Sequence, residues 1–159
     1  MDTYVWLHAG VSKCALQIAN EKPTIKYVEF CLEIIEYLVS YNITPILVLD
    51  GMQLPAKLAT NEERKKRRKE MEEKGRFFQK IGQFEKAIKY YGQSINITSK
   101  MVFDLITVAK KNQIEVIVAP YEADAQLAYL SRCGYVDYVL TCDSDLIPYG
   151  TKGILYHLD

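Results

Sequence analysis

Ile114-Glu-Val-Ile-Val-Ala-Pro-Tyr-Glu-Ala-Asp-Ala125, together with Val139-Leu-Thr-Cys-Asp-Ser-Asp145, is the part of the chain that decides the fold. Ile114, Val116, Ile117 and Val118 make a short, β-branched apolar run that Pro120 stops. Such a run suits a strand buried on both faces of a parallel sheet. Tyr121 to Arg132 is rich in Ala and Leu and ends at Gly134, a good helix terminator. Tyr135 to Thr141 then reads as a second strand, with Asp143 and Asp145 directly after it. Strand, helix and strand in this order form a βαβ crossover, and open α/β sheets bind ligands beyond the carboxyl ends of their strands. Glu122, Asp124, Asp143 and Asp145 are all expected at that edge. Carboxylates gathered there repel one another unless a cation holds them, and oxygen-only ligands favour Mg²⁺ or Mn²⁺.

Each acid also has an ordinary explanation. Glu122 and Asp124 would favour the dipole at a helix N-terminus, and their i, i+2 spacing does not share a face of a regular helix. At least one of them therefore precedes the settled helix. Asp-Ser-Asp is a common turn composition. The conjunction of the pieces points to a metal site.

Working outward, Pro45-Ile-Leu-Val-Leu-Asp-Gly51 reads as another buried strand that exits onto an acid, Asp50. Met1-Asp-Thr3 resembles the tail of a strand whose body is absent, with Asp2 at its carboxyl end and helix-compatible sequence after it. Tyr4 and His8, four apart, would share a face of that helix. Residues 25–40 are amphipathic, with Lys26, Glu29, Glu33, Glu36 and Ser40 marking the wet side and Asn42 breaking the helix. Residues 100–111 give a further helix, and Gly153 to Leu158 a last strand. Gly82-Gln-Phe-Glu-Lys-Ala-Ile-Lys-Tyr-Tyr-Gly92 imitates part of a tetratricopeptide repeat, but no copy recurs at the required period.

At 159 residues the chain has the size of one domain with a real core. Its 49% hydrophobic content excludes disorder. No apolar run approaches the roughly 20 residues of a membrane span, and nothing at the start resembles a signal peptide. Four cysteines without C-x-x-C spacing read as free thiols of a reducing compartment. The formal charge is zero, yet residues 57–80 carry ten Lys/Arg against five Asp/Glu. That segment is strongly helical by propensity. Arg64-Lys-Lys-Arg-Arg-Lys69 covers every face of a helix, so its six cations cannot all touch one ligand. A phosphate-binding arm and a nuclear-import-type basic run are the two functional readings.

These motifs resemble the flap endonuclease/XPG superfamily, and its exonuclease-1-like branch in particular. The resemblance rests on Asp2-Thr-Tyr-Val-Trp-Leu-His8, Pro45 to Gly51, Ser94-Ile-Asn-Ile-Thr98, Ala119 to Leu130 and Asp143-Ser-Asp-Leu146. It implies an α/β fold: a mostly parallel twisted sheet flanked by helices, a PIN-like 5′ nuclease core with a basic helical arch. Residues 1–159 would be a single core domain and residues 57–98 the arch or gateway insertion. Asp2, Asp50, Glu122, Asp124, Asp143 and Asp145 fall on positions that hold two divalent ions, Mg²⁺ or Mn²⁺, about 4 Å apart. Lys57 and Arg64 fall on catalytic gateway positions that steer the scissile phosphate. Tyr4, His8, Arg67 and Arg68, with Lys57 and Arg64, would face DNA. The implied activity is 5′-to-3′ exonuclease or 5′ flap endonuclease, acting in the nucleus on DNA with 5′ ends, nicks or flaps during repair or recombination.

The chain departs from the family pattern in three ways. Family members carry a Gly-rich segment before the first acid, and a seventh metal acid and a helix–two-turn–helix after the region matched here; the chain reads as truncated at both ends. Cys142 stands where an acid usually precedes Asp143. Two other classes compete with the nuclease: a non-catalytic DNA- or partner-binding fragment, and a Mg-dependent phosphatase of the haloacid-dehalogenase type. The phosphatase would need its Asp-x-Asp after the first strand, whereas here the pair comes late.

Overall fold

A computed structural model describes residues 1–53 and 58–156, and the side chains of these except 58–61. The chain divides into two compact units. One comprises Met1–Trp6, Ile35–Leu54 and Ala109–Asp159, and the other Leu7–Ile34 and Pro55–Val108.

The first unit is built on parallel strands. β1 (Ile46–Leu49) pairs with β2 (Glu115–Val118), Ile46 opposite Glu115 and Leu49 opposite Val118. β3 (Val139–Thr141) pairs with β4 (Ile154–Tyr156), also parallel. Met1 and Asp2 lie between the two pairs: Val48 N–H donates to Met1 O (3.1 Å) and Asp2 N–H to Leu140 O (2.9 Å). The order across the unit is therefore β2, β1, Met1–Asp2, β3, β4. Helix α7 (Ala123–Arg132) crosses from β2 to β3 and packs Ala123, Leu127, Ala128 and Leu130 against Val48, Val139 and Leu146. It ends where expected, because Gly134 takes φ +76° and Tyr135 N–H returns to Leu130 O (2.9 Å). That same closure delays β3. Tyr135 and Val136 both donate back to Leu130 O, so the chain extends only from Val139 rather than from Tyr135.

β2 corrects the expectation of a strand buried on both faces. It pairs only with β1 among the described residues, and Val118 is 56% exposed. Its apolar run covers one side of an edge strand. The expected last strand is confined to Ile154–Tyr156; its further residues, His157 and Leu158, lie outside the described residues. A cavity of about 970 Å³ lies at the strands' amino ends, lined by Ile43, Pro45, Glu115, Tyr138 and Leu155 among others. It is at the edge opposite the acids.

The second unit is helical. α4 (Leu58–Lys80) and α5 (Phe84–Ser94) form a hairpin that turns at Gly82, with φ +76°. The repeat-like stretch is thus the second arm of a hairpin. Ala87 and Tyr91 are buried, Phe78 stacks on Tyr90 with centroids 5.3 Å apart, and Tyr91 OH donates to Gln79 Oε1 (2.7 Å). α2 (Ala15–Ala19), which the sequence did not single out, packs on α5.

α1 (Thr3–Lys13), α3 (Lys26–Ser40) and α6 (Ser99–Lys111) complete the set. Tyr27, Val28, Cys31, Ile35 and Leu38 give α3 its buried stripe. Asn42 ends it in the left-handed conformation (φ 59°), with Ile43 N–H on Leu38 O (3.1 Å).

The turn after β1 is tied to the turn after β2. Gly51 N–H donates to Tyr121 O (2.6 Å) and Met52 N–H to Pro120 O (3.1 Å). A Cβ on Gly51 would lie 1.9 Å from Ala119 O, so the two turns approach this closely only because Gly51 has no side chain. Gly51→Ala is expected to destabilise the chain by about 2 kcal/mol or more, as overpacking against fixed backbone does. Urea unfolding of the variant beside the unchanged chain measures this.

Candidate metal and nucleic-acid site

The acids sit where the strands end. Asp2 follows Met1 in the sheet and caps α1, its carboxylate accepting the N–H of Val5. It is buried at 7% exposure, and Thr141 Oγ1 donates to its Oδ2 (3.2 Å). Burial raises the Asp2 carboxyl above its ordinary value and the charge of Asp50 adds to this, while the Thr141 and Val5 bonds oppose it. Asp50, at the exit of β1, accepts the N–H of Ala123 on Oδ1 (2.7 Å). This caps α7 from another loop and holds the exits of β1 and β2 together. Glu122 is the N-cap residue of α7, with extended backbone (φ −86°, ψ 140°), and Asp124 lies in the first turn. The inference that one of this pair precedes the settled helix holds.

Asp143 and Asp145 form the turn after β3. Asp143 N–H donates to Thr141 Oγ1 (3.0 Å) and Asp145 N–H to Asp143 Oδ1 (3.0 Å). The turn chemistry of Asp-Ser-Asp is real, and it leaves both carboxylates exposed.

Asp124 registers how close these groups are. Its carboxyl is raised from an ordinary 3.8 to about 6, first by burial and then by the charges of Asp2, Asp143, Asp50 and Glu122. Asp145 is not among the charges that act on it. Five of the six predicted acids therefore share one electrostatic neighbourhood, and Asp145 is tied to one of them through its N–H on Asp143 Oδ1. Among the described residues no three His, Cys, Asp or Glu side chains stand close enough, as placed, to enclose an ion. The donor chemistry nonetheless fits a hard divalent cation: every group is a carboxylate, and the crowding is of the sign that a cation relieves.

Tyr4 is half-buried, and its phenol is raised by burial and by Asp50, so it remains a hydrogen-bond donor at neutral pH. His8 and Arg68 belong to the helical unit. The imidazole of His8 is lowered by desolvation and by the Arg68 charge. Arg68 Nη1 donates to Asn96 Oδ1 (2.9 Å). Arg64 and Arg67 are exposed, and Lys57 lies outside the described residues.

One residue of this neighbourhood was not read from the sequence. Thr141 is fully buried and joins Asp2 to the Asp143 turn through one hydroxyl. Its spacing two residues before an Asp is the only local signal, and that spacing is common in turns.

The comparisons with known proteins agree with this architecture. The XPG N-terminal domain matches residues 1–71 and the XPG I-region matches residues 113–159. Exonuclease 1 of Xenopus laevis is 40% identical over all 159 residues of this chain, which cover 22% of its length. Exonuclease 1 of Drosophila melanogaster is 41% identical over the same span, again 22% of its length. Exodeoxyribonuclease 1 of Schizosaccharomyces pombe is 38% identical, with 28% of its length covered. Solved structures of the catalytic core of Rad2 in complex with DNA substrate superpose with TM-scores of 0.59 and 0.58 at 26% and 25% identity. They cover 84% and 81% of this chain and 35% and 33% of those chains.

Parallel strands that exit onto acids define an α/β core. The chain belongs to the flap endonuclease/XPG superfamily and is similar to its exonuclease-1 members. It spans between a fifth and a third of the length of the curated relatives named above.

The raised Asp124 carboxyl gives stability a sign. Folding takes up a proton wherever the folded pKa exceeds the unfolded one, so metal-free stability falls as pH rises from about 4 to about 6. Asp124→Asn is expected to raise metal-free stability at pH 7 by about 1 kcal/mol, allowing for solvent screening of a half-exposed group, and to flatten this pH dependence. Thermal unfolding in chelator at pH 5 and pH 7 measures both effects.

Proposed function

We propose that this chain is the core of a metal-dependent deoxyribonuclease that hydrolyses DNA phosphodiesters from 5′ ends, nicks or flaps. The observation that carries this is the convergence of Asp2, Asp50, Glu122 and Asp143 on Asp124 at the carboxyl ends of parallel strands. The relatives' names, Exonuclease 1 and exodeoxyribonuclease 1, supply the substrate class and reaction.

Asp2, Asp50, Glu122, Asp124, Asp143 and Asp145 would hold two Mg²⁺ or Mn²⁺ ions. Bound there, the ions supply an activated water and neutralise the leaving oxygen. The chain's own residues set this up. Thr141 fixes one oxygen of Asp2 and the Asp143 backbone with a single hydroxyl. Asp50 commits Oδ1 to the α7 cap, which leaves Oδ2 for a ligand. Tyr4 donates from a protonated phenol, and His8 meets the nucleotide. Lys57 and Arg64 stabilise charge on the scissile phosphate as the gateway cations of residues 57–98, and Arg67 and Arg68 add backbone contacts. The action is nuclear, with the basic run at 64–69 serving import as well as phosphate binding. No helix among the described residues is long and apolar enough to cross a membrane.

The test separates the two jobs of Asp50. Asp50→Asn keeps an oxygen for the Ala123 N–H, whereas Asp50→Ala removes it. Both are expected to abolish cleavage of 5′-labelled recessed and flapped duplexes in Mn²⁺ while duplex binding persists. Only Asp50→Ala should also lose about 1 kcal/mol of stability, the usual worth of a helix cap. Cleavage by Asp50→Asn at the unchanged rate would overturn the reading. A chain that binds duplex and never cleaves it would be the non-catalytic fragment instead.

A further inference from the structure

The cationic run at 64–69 poses a problem that the family resemblance does not answer: which of six adjacent cations does the fold hold in place? Arg64, Lys65, Lys66, Arg67 and Lys69 are exposed, and Arg68 is half-buried. The Arg68 guanidinium donates through Nη1 to Asn96 Oδ1 (2.9 Å), and its charge falls on His8. Asn96 lies in the four-residue link between α5 and α6, and this link is fastened at both ends. Ile95 N–H and Ser94 Oγ donate to Tyr91 O (3.1 and 2.9 Å). Thr98 Oγ1 accepts Met101 N–H (3.3 Å) and Thr98 O accepts Val102 N–H (3.1 Å) at the start of α6. Asn96 is therefore an acceptor on a tied segment, whereas Arg68 is a long side chain with several rotatable bonds. An arginine held by one donor group keeps its remaining N–H groups in a fixed fork, suited to phosphate oxygens.

We infer that Asn96 is a positioning residue: it orients the Arg68 guanidinium so that the remaining N–H donors meet a DNA backbone phosphate. The inference rests on the reading of Arg68 as a DNA-facing residue given above. It assigns a physical role to the middle of the Ser94-Ile-Asn-Ile-Thr98 motif, where the resemblance named only a pattern. Asn96 itself touches neither DNA nor the acids in this scheme.

Two readouts test it on the whole chain, with Asn96→Ala, Arg68→Ala and the double variant. The first needs no DNA. With the guanidinium released, the NMR-titrated pKa of His8 should rise towards its ordinary value in each single variant, and the double variant should add nothing. The second is affinity for a nicked duplex in Ca²⁺, at several salt concentrations. Asn96→Ala should weaken binding about three- to tenfold, the worth of one ordered contact. It should lower the salt slope by up to about one, with no further loss on the Arg68→Ala background.

If neither the His8 titration nor the affinity responds to Asn96→Ala, the positioning role is overturned. It is likewise overturned if Asn96→Ala costs as much affinity without Arg68 as with it. If His8 responds but Arg68→Ala binds duplex as tightly as the unchanged chain, the positioning stands and the DNA role of Arg68 fails. Thermal unfolding of Asn96→Ala should match that of the unchanged chain, which separates orientation from folding.

Discussion

The hydrogen bond from Ala123 N–H to Asp50 Oδ1, 2.7 Å long, fastens the exit of β1 to the start of α7. It forms because Gly51 lets the turn after β1 lie against Ala119 and Pro120, where any side chain would collide. An N-terminal helix N–H needs an acceptor from somewhere, and Glu122, the N-cap residue, makes no side-chain cap of its own. Asp50 fills that need from another part of the chain, and by doing so it brings a third carboxylate up to Glu122 and Asp124. Much of the acidic neighbourhood follows from this contact between loops.

A second constraint is electrostatic. Asp2 is buried, Asp124 is half-buried, and the charges of four other acids act on Asp124. An apoprotein optimised for stability would not collect carboxylates there. Part of the strain is offset locally: Thr141 and the Val5 N–H serve Asp2, and the Asp145 N–H serves Asp143. The rest is the kind of cost that a bound cation relieves. The helical unit places charge differently. Most of its cations remain solvated, and the half-buried Arg68 donates to the exposed Asn96.

Much of this was legible in the sequence because it depends on periodicity and chain punctuation. The apolar stripe of α3, the stops at Asn42 and Gly134, and the acids directly after β1 and β3 are local features, and each appears at its expected place. The reading of β2 erred because apolar β-branched composition does not say how many neighbours a strand has. Among the described residues it pairs only with β1, and Val118 is exposed. β3 begins late because Tyr135 and Val136 spend their N–H groups closing α7, a competition between helix cap and strand that alternation does not reveal.

The sequence by itself determined the fold class, the family, and the set of acids that end the strands, since all three follow from residue order along the chain. The tertiary structure decided which groups meet. It bound Asp50 to Ala123 across 73 positions and Thr141 to Asp2 across 139. It also distinguished Arg68 from five neighbouring cations of the same composition, through an acceptor 28 residues away. Contacts of that span depend on how strands and helices pack, and no local pattern encodes them.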